Sequence, residues 1–181
     1  MKNSKLRRLT TLAVLGAVSI ALTAIIHFPL IPAVSFLEYD PADIPILIAG
    51  FALGPVPAIL LTFAAAVIQG LTVSAQSGPY GIIMHIIATS FLVSASSMIY
   101  KKHKTKKGAA VSVAAGIVAM TLIMIPANLI VTPFFMGVPR AAVSELMVYI
   151  ILFNLIKASV NGFATYLVYK KISPLIHAFN D

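Results

Sequence analysis

Cysteine and tryptophan are both absent from this chain of 181 residues, and only 5 residues are acidic. The missing cysteine excludes a disulfide framework and any thiolate metal site. Charged residues of both signs reach only 10%, well below the roughly 25% of an ordinary soluble domain. Neither a G-x-x-x-x-G-K-S/T loop nor an H-E-x-x-H, G-x-S-x-G or clustered His–Asp pattern occurs. The chain therefore cannot hydrolyse ATP by P-loop chemistry, and nothing suggests an enzyme. No carboxylate falls inside an apolar run, which argues against an ordinary proton- or sodium-coupled pump.

What is present is apolar: 60% of the residues are hydrophobic and the mean hydropathy is +1.00. This is the composition of an integral membrane protein, and the length allows one compact helical bundle. The formal charge of +8 would suggest nucleic acid if it were spread over a soluble surface. Instead the basic residues sit at the flanks of apolar runs, in Lys2, Lys5, Arg7 and Arg8, in Lys101 to Lys107, and at Lys170-Lys171. Such clusters mark cytoplasmic anchors, so the charge reports topology and no nucleic-acid partner is expected. The acids Glu38, Asp40, Asp43 and Glu145 lie in other loops. The basic start and the apolar run after it resemble a secretory signal. However, Leu9 to Phe28 is long for a signal core and is followed by Pro29 and Pro32, so an uncleaved first span is expected.

Five apolar runs stand out, at 9–28, 55–74, 80–100, 109–135 and 146–169. The segment 43–53, closed by Gly54-Pro55, is too short to cross a full hydrocarbon core. Charge parity decides how to count it. The N-terminus and the Lys101–Lys107 loop are both basic, so an even number of crossings must separate them, and 43–53 supplies the fourth. The expected architecture is all-α, one membrane domain over 1–181 with six transmembrane helices and both termini cytoplasmic. The missing length of the second helix would come from the loop before it. Pro29-Leu30-Ile31-Pro32 through Pro41 is itself rather apolar, so this loop is expected to dip toward the bundle as a candidate lid, with a plain connector as the alternative. No internal repeat is evident, which weakens an inverted-repeat transporter.

Few polar residues interrupt the runs: Gln69, His85, Thr89, Asn128 after Pro126, and the set Asn154, Lys157 and Asn161. The last three fall at i, i+3 and i+7 and share one helix face. An ammonium in mid-span costs roughly 2.5–3.5 kcal/mol even on the lenient insertion scale, so Lys157 needs a polar partner. No acid within a span can serve, and Asp40 or Asp43 could reach it only if the loop folds in. The positive-inside orientation brings Gln69, His85 and Asn128 toward a common outer cavity with Asn154, and Lys157 lies deeper. The plainer alternatives are an interhelical bridge for Gln69 and Asn161 and a satisfied interior histidine for His85. Pro126 can kink its helix and widen the cavity, or be an ordinary membrane proline. Ala13, Ala17 and Ala21 recur at i, i+4 and i+8, a small-residue stripe that suits either packing within the bundle or a close-approaching external helix.

These residues together resemble a known family, the substrate-binding S components of energy-coupling factor vitamin transporters, and within it the riboflavin-binding branch. The resemblance covers essentially the whole chain. It is carried by Tyr39-Asp40-Pro41-Ala42-Asp43-Ile44-Pro45, the Gly54-Pro55 turn, Ala119-Met120-Thr121 with Asn128, and most specifically Phe153-Asn154-Leu155-Ile156-Lys157, which is similar to an F-N-x-x-K motif. It implies a multi-pass protein of the bacterial plasma membrane with no catalysis, no metal and no cofactor. It also implies a vitamin, riboflavin or a relative, held near the outer face under the first loop. Asn128, Asn154 and Lys157 would hydrogen-bond the polar edge of the flavin ring; the outer-cavity reading of the residues themselves adds His85, Gln69 and Asp40 as candidate substrate-binding residues. The implied partners are a membrane coupling subunit and two cytoplasmic ABC-type ATPases. Ala13-x-x-x-Ala17 would dock the coupling subunit, and transport would involve toppling of the chain in the membrane. Ala65-Ala66, His85 and Ala158 depart from the family pattern and remodel the cavity. Pantothenate or a pyrimidine therefore stays open as the ligand. Outside the family, a self-sufficient carrier or a ligand-free scaffold also stays open.

Overall fold

The computed structural model describes the backbone of residues 2–178 and the side chains of 5–171. Lys2, counted above in the N-terminal basic cluster, has its side chain outside the described residues. Seven helices follow in order: α1 (Lys2–Ile25), α2 (Asp43–Leu53), α3 (Pro55–Leu71), α4 (Gly78–Lys102), α5 (Lys106–Met136), α6 (Arg140–Glu145) and α7 (Met147–Ala178). Four of them, α1, α4, α5 and α7, are long and apolar enough to cross a membrane, while α2 and α3 are shorter apolar helices. The six expected helices are all present, and α6 is an additional single turn and a half on the connector into α7. The loop from α1 to α2 folds on itself as a minimal antiparallel hairpin, β1 (Phe28–Pro29) with β2 (Glu38–Tyr39), around one 3-10 turn at Pro32–Val34.

At about 1.5 Å per residue α2 is only about 16 Å long, and it lies in the middle of the molecule. Ile46, Leu47, Ile48, Ala49, Gly50 and Phe51 are all buried, so the helix is covered on every side by α1, α3, α4 and α7. A helix that is apolar all round is stable only in such a position. It ends at Gly54, whose φ of 96° lets the chain reverse directly into α3 at Pro55. The most extensive packing joins α4 to α5. There Gly116 lets the helices approach so tightly that a Cβ would stand 2.7 Å from the Leu92 carbonyl oxygen. By contrast α1 leaves much of its apolar surface exposed, including Leu9, Val14, Val18 and Ile25. Its covered side is the row Gly16, Ser19 and Thr23, and Ala13, Ala17 and Ala21 face outward. The alanine stripe therefore takes no part in packing within the bundle.

The charges separate to the two ends of the bundle. Arg8, Lys101 and Lys104 surround the α2–α3 turn, and Lys104, Lys106 and Lys170 gather where α4, α5 and α7 meet. Glu38, Asp40, Asp43 and Glu145 lie at the opposite end, with Arg140 the basic exception there. This is the segregation that the sequence clusters implied, now seen as one basic end and one acidic end.

Candidate functional site

The loop before α2 does fold into the bundle. Asp40, Pro41, Ala42 and Asp43 are buried, and Asp40 Oδ2 lies 2.6 Å from Lys157 Nζ. Among the described residues this is the only ion pair. The partner that Lys157 lacked within the spans thus comes from the loop, and the amine is neither aimed at lipid nor left alone. Burial by itself would raise the Asp40 carboxyl, but the Lys157 ammonium foremost, then nearby His85, and last the Ala42 amide at 3.0 Å, hold it below the ordinary carboxylate value. Burial, with the Asp40 charge next, pushes the neighbouring Tyr39 phenol up.

Asn161 ties the same loop to α7 from one turn further along. Its amide nitrogen donates to the Asp40 carbonyl at 2.9 Å and to Asp43 Oδ2 at 3.0 Å, and its Oδ1 accepts from the Tyr39 hydroxyl at 3.0 Å. Thr89 on α4 donates to Asp43 Oδ1 at 2.6 Å, and Ser19 on α1 donates to the Ala42 carbonyl at 2.9 Å. Three helices, α1, α4 and α7, therefore grip one short segment, and the interhelical bridge considered for Asn161 is what the structure contains. In the sequence Tyr39 stands out only as part of a motif, Thr89 only as a polar residue within a span, and Asp43 only as a possible partner for Lys157. The signal for Asp43 was available: a carboxyl opening a wholly apolar helix must be buried, and a buried acid needs donors.

Beside this network lies a cavity of ≈ 110 Å³ lined by Asp40, Gln69, His85 and Phe153, with Phe36 and Leu37 of the loop as its roof. His85 Nε2 is buried there without a hydrogen-bond partner among the described residues. A second cavity of ≈ 50 Å³ shares the walls Phe36, Leu37, Ser77, Gly81 and Met84. It continues to Asn128, Thr132, Tyr80 and Phe135. Phe135 is the hub of its aromatic wall, with ring centroids 6.2 Å from Phe36 and 5.9 Å from Tyr80. The two compartments differ in kind: one is edged by ionisable and amide groups, the other by aromatic rings with one amide and the hydroxyls of Ser77, Tyr80 and Thr132.

Of the residues selected from the sequence, Asp40, Gln69 and His85 line the first compartment and Asn128 the second. Asn128 donates to the Met124 carbonyl at 2.8 Å and accepts from the Thr132 hydroxyl at 2.9 Å, so one amide hydrogen and lone-pair capacity remain for a guest. Lys157 and Asn154 lie behind the walls: the first holds Asp40, and the second donates to the Ile150 carbonyl at 2.8 Å. The loop residues Phe36 and Leu37, which roof both compartments, were missed because single apolar residues in a connector carry no periodic signal.

Comparison with known proteins gives concordant matches. Residues 7–169 match the family described as the ECF transporter substrate-specific component. The chain is 27% identical to the riboflavin transporter FmnP of Bacillus subtilis, over 95% of each chain. Among solved structures it is similar to the S component of a bacterial ECF transporter, with a TM-score of 0.83 at 27% identity over 95% of this chain and 98% of the other. It also shares the fold of the S component for biotin from an ECF-type ABC transporter, with a TM-score of 0.66 at 19% identity over 94% of both.

Proposed function

The chain belongs to the substrate-specific S components of ECF transporters, non-enzymatic subunits of the bacterial membrane that work with an ECF module, and on that premise we propose that its cargo is riboflavin. The observation that carries this reading is the pair of unlike compartments under one loop. A flavin has a planar three-ring body with an imide edge and a polyhydroxyl tail. The aromatic compartment of Phe36, Tyr80 and Phe135 suits the rings, with Asn128 and Thr132 as partners for the imide edge. The compartment edged by Asp40, Gln69 and His85 suits the hydroxyls. The identity to a protein named a riboflavin transporter supports the same choice.

At ≈ 110 and ≈ 50 Å³ the compartments are smaller than the roughly 300–1,000 Å³ of pockets that enclose ligands of this size. Binding therefore requires the loop roof to lift, and Lys157 and Asn154 would meet the cargo only as Asp40 gives way. The same small volume favours the second reading, a smaller cargo such as a pyrimidine or pantothenate. With the basic end cytoplasmic, as the positive-inside rule requires, the cargo enters from the outer face. The outward stripe Ala13, Ala17 and Ala21 on α1 would receive a membrane coupling subunit that is served by two cytoplasmic ATPases.

The test is optical. A flavin absorbs and fluoresces in the visible, where no protein side chain does, so its binding can be followed without interference. Protein purified from riboflavin-replete cells should carry flavin bands near one per chain, and titration of stripped protein should quench flavin fluorescence to saturation. No quenching at micromolar protein, with saturable binding of pantothenate or a pyrimidine, would replace riboflavin by that cargo.

A further inference from the structure

At the basic end, away from the cargo cavities, a pocket of ≈ 200 Å³ opens where the α4–α5 connector meets α7 around Tyr166, Tyr169 and Lys170. Its floor is Tyr100 and Tyr169, buried side chains with ring centroids 5.5 Å apart in an edge-to-face pair. Its rim is Lys104, Lys106 and Lys170, all exposed, and no carboxylate is among its lining residues. Among the described residues none of these lysines makes an ion pair. Helix α5 also begins here. Thr105 caps it by accepting from the Gly108 amide at 2.9 Å, and the amides of Lys106 and Lys107 are left without a protein acceptor among the described residues.

We propose that this pocket, formed by Lys104, Lys106 and Lys170 over the Tyr100–Tyr169 floor, is a binding site for the phosphate of an anionic phospholipid headgroup. Each element has a physical reason. Three cations around one concavity attract an anion, and the free amides with the dipole of a 31-residue helix favour an oxyanion at the same spot. The pocket sits at the ends of three spans, which is headgroup depth, and tyrosines are the residues that tolerate that boundary. Basic pockets between spans on the cytoplasmic side are where such headgroups bind. A soluble phosphate offers the same oxyanion chemistry, but without an acyl chain to lie along the exposed apolar flanks of α5 and α7, such as Val111, Phe163 and Leu167.

The full chain in detergent, supplied with phosphatidylglycerol or phosphatidylcholine, is analysed by native mass spectrometry for retained lipid. The wild type should retain phosphatidylglycerol about tenfold better. The variant Lys104→Gln/Lys106→Gln/Lys170→Gln should fall to the phosphatidylcholine level, while the charge-matched control Lys5→Gln/Arg7→Gln/Lys102→Gln keeps the preference. Equal loss in both variants would mean diffuse charge attraction and overturn the site, as would no loss in either. Displacement of phosphatidylglycerol by millimolar inorganic phosphate, which also raises the melting temperature, would assign the pocket to a soluble oxyanion and overturn the lipid. Unchanged lipid retention with lost assembly onto the ECF module would give the face to a protein partner and likewise overturn it. If the triple variant melts early in phosphatidylcholine, the single Lys170→Gln variant, away from the helix cap, carries the same comparison with a smaller drop.

Discussion

At the loop end of the bundle Asp40 and Asp43 are buried and each of their carboxyl oxygens has a donor, whereas at the basic end Lys104, Lys106 and Lys170 are exposed and make no ion pair among the described residues. The difference follows from the medium. A buried charge is several kcal/mol too costly unless it is paired and hydrogen-bonded, so the loop end must be a closed network. An exposed lysine keeps its hydration and can wait for an external anion. The loop end is therefore brittle to single substitutions and the basic end tolerant of them.

Removing one partner of the buried pair should break that contrast most severely. Lys157→Met leaves Asp40 buried beside an apolar side chain and should cost about 3–5 kcal/mol in detergent unfolding. Adding Asp40→Leu should recover most of it, and a double variant no more stable than Lys157→Met would remove the pairing as the reason that lysine is in the membrane. Asn161→Ala comes next. It strands Asp43 Oδ2 and the Asp40 carbonyl and frees Tyr39, for a loss of about 2–3 kcal/mol. Hydrogen exchange over 29–41 should rise with it, and unchanged exchange there would mean that the loop is held by packing alone.

Much of this was legible beforehand, and the limits have physical causes. Spans announce themselves through apolar length, and the buried second helix through parity of charge. The shared face of Asn154, Lys157 and Asn161 followed from helical spacing. What spacing does not determine is where a side chain turns once its face is known. Asn154 bonds the carbonyl one turn back on its own helix, and Lys157 bonds a residue 117 positions away. The need for a loop carboxylate could be stated from the absence of acids in the spans, but its identity required the fold. The short α6 and the two-residue strands escaped because they lack the length for a periodic pattern.

Acid should sharpen the comparison without a new substitution. The Asp40 carboxyl lies below its ordinary value in the folded chain, so its contribution is complete above the unfolded value of about 4 and is lost only as pH falls through the lower folded value. Loop protection measured by exchange, corrected for intrinsic rates, should therefore stay flat from about pH 8 to about pH 5. A transition above about pH 5 would instead mean that the loop is not held through the Asp40 carboxylate.

The smallest expected effect on the chain itself is at Ala17. Its side chain is exposed on α1 opposite the buried row of Gly16, Ser19 and Thr23, so Ala17→Leu should change stability by less than about 0.5 kcal/mol. Nothing of the cargo cavities is formed by that face, and cargo affinity should be unchanged. A leucine there would nevertheless keep a partner helix from the close approach that a small-residue stripe permits, so uptake by the assembled complex should fall while binding by the isolated chain persists. Lost binding with intact assembly would reverse the assignment and make α1, like the loop end, part of the closed network.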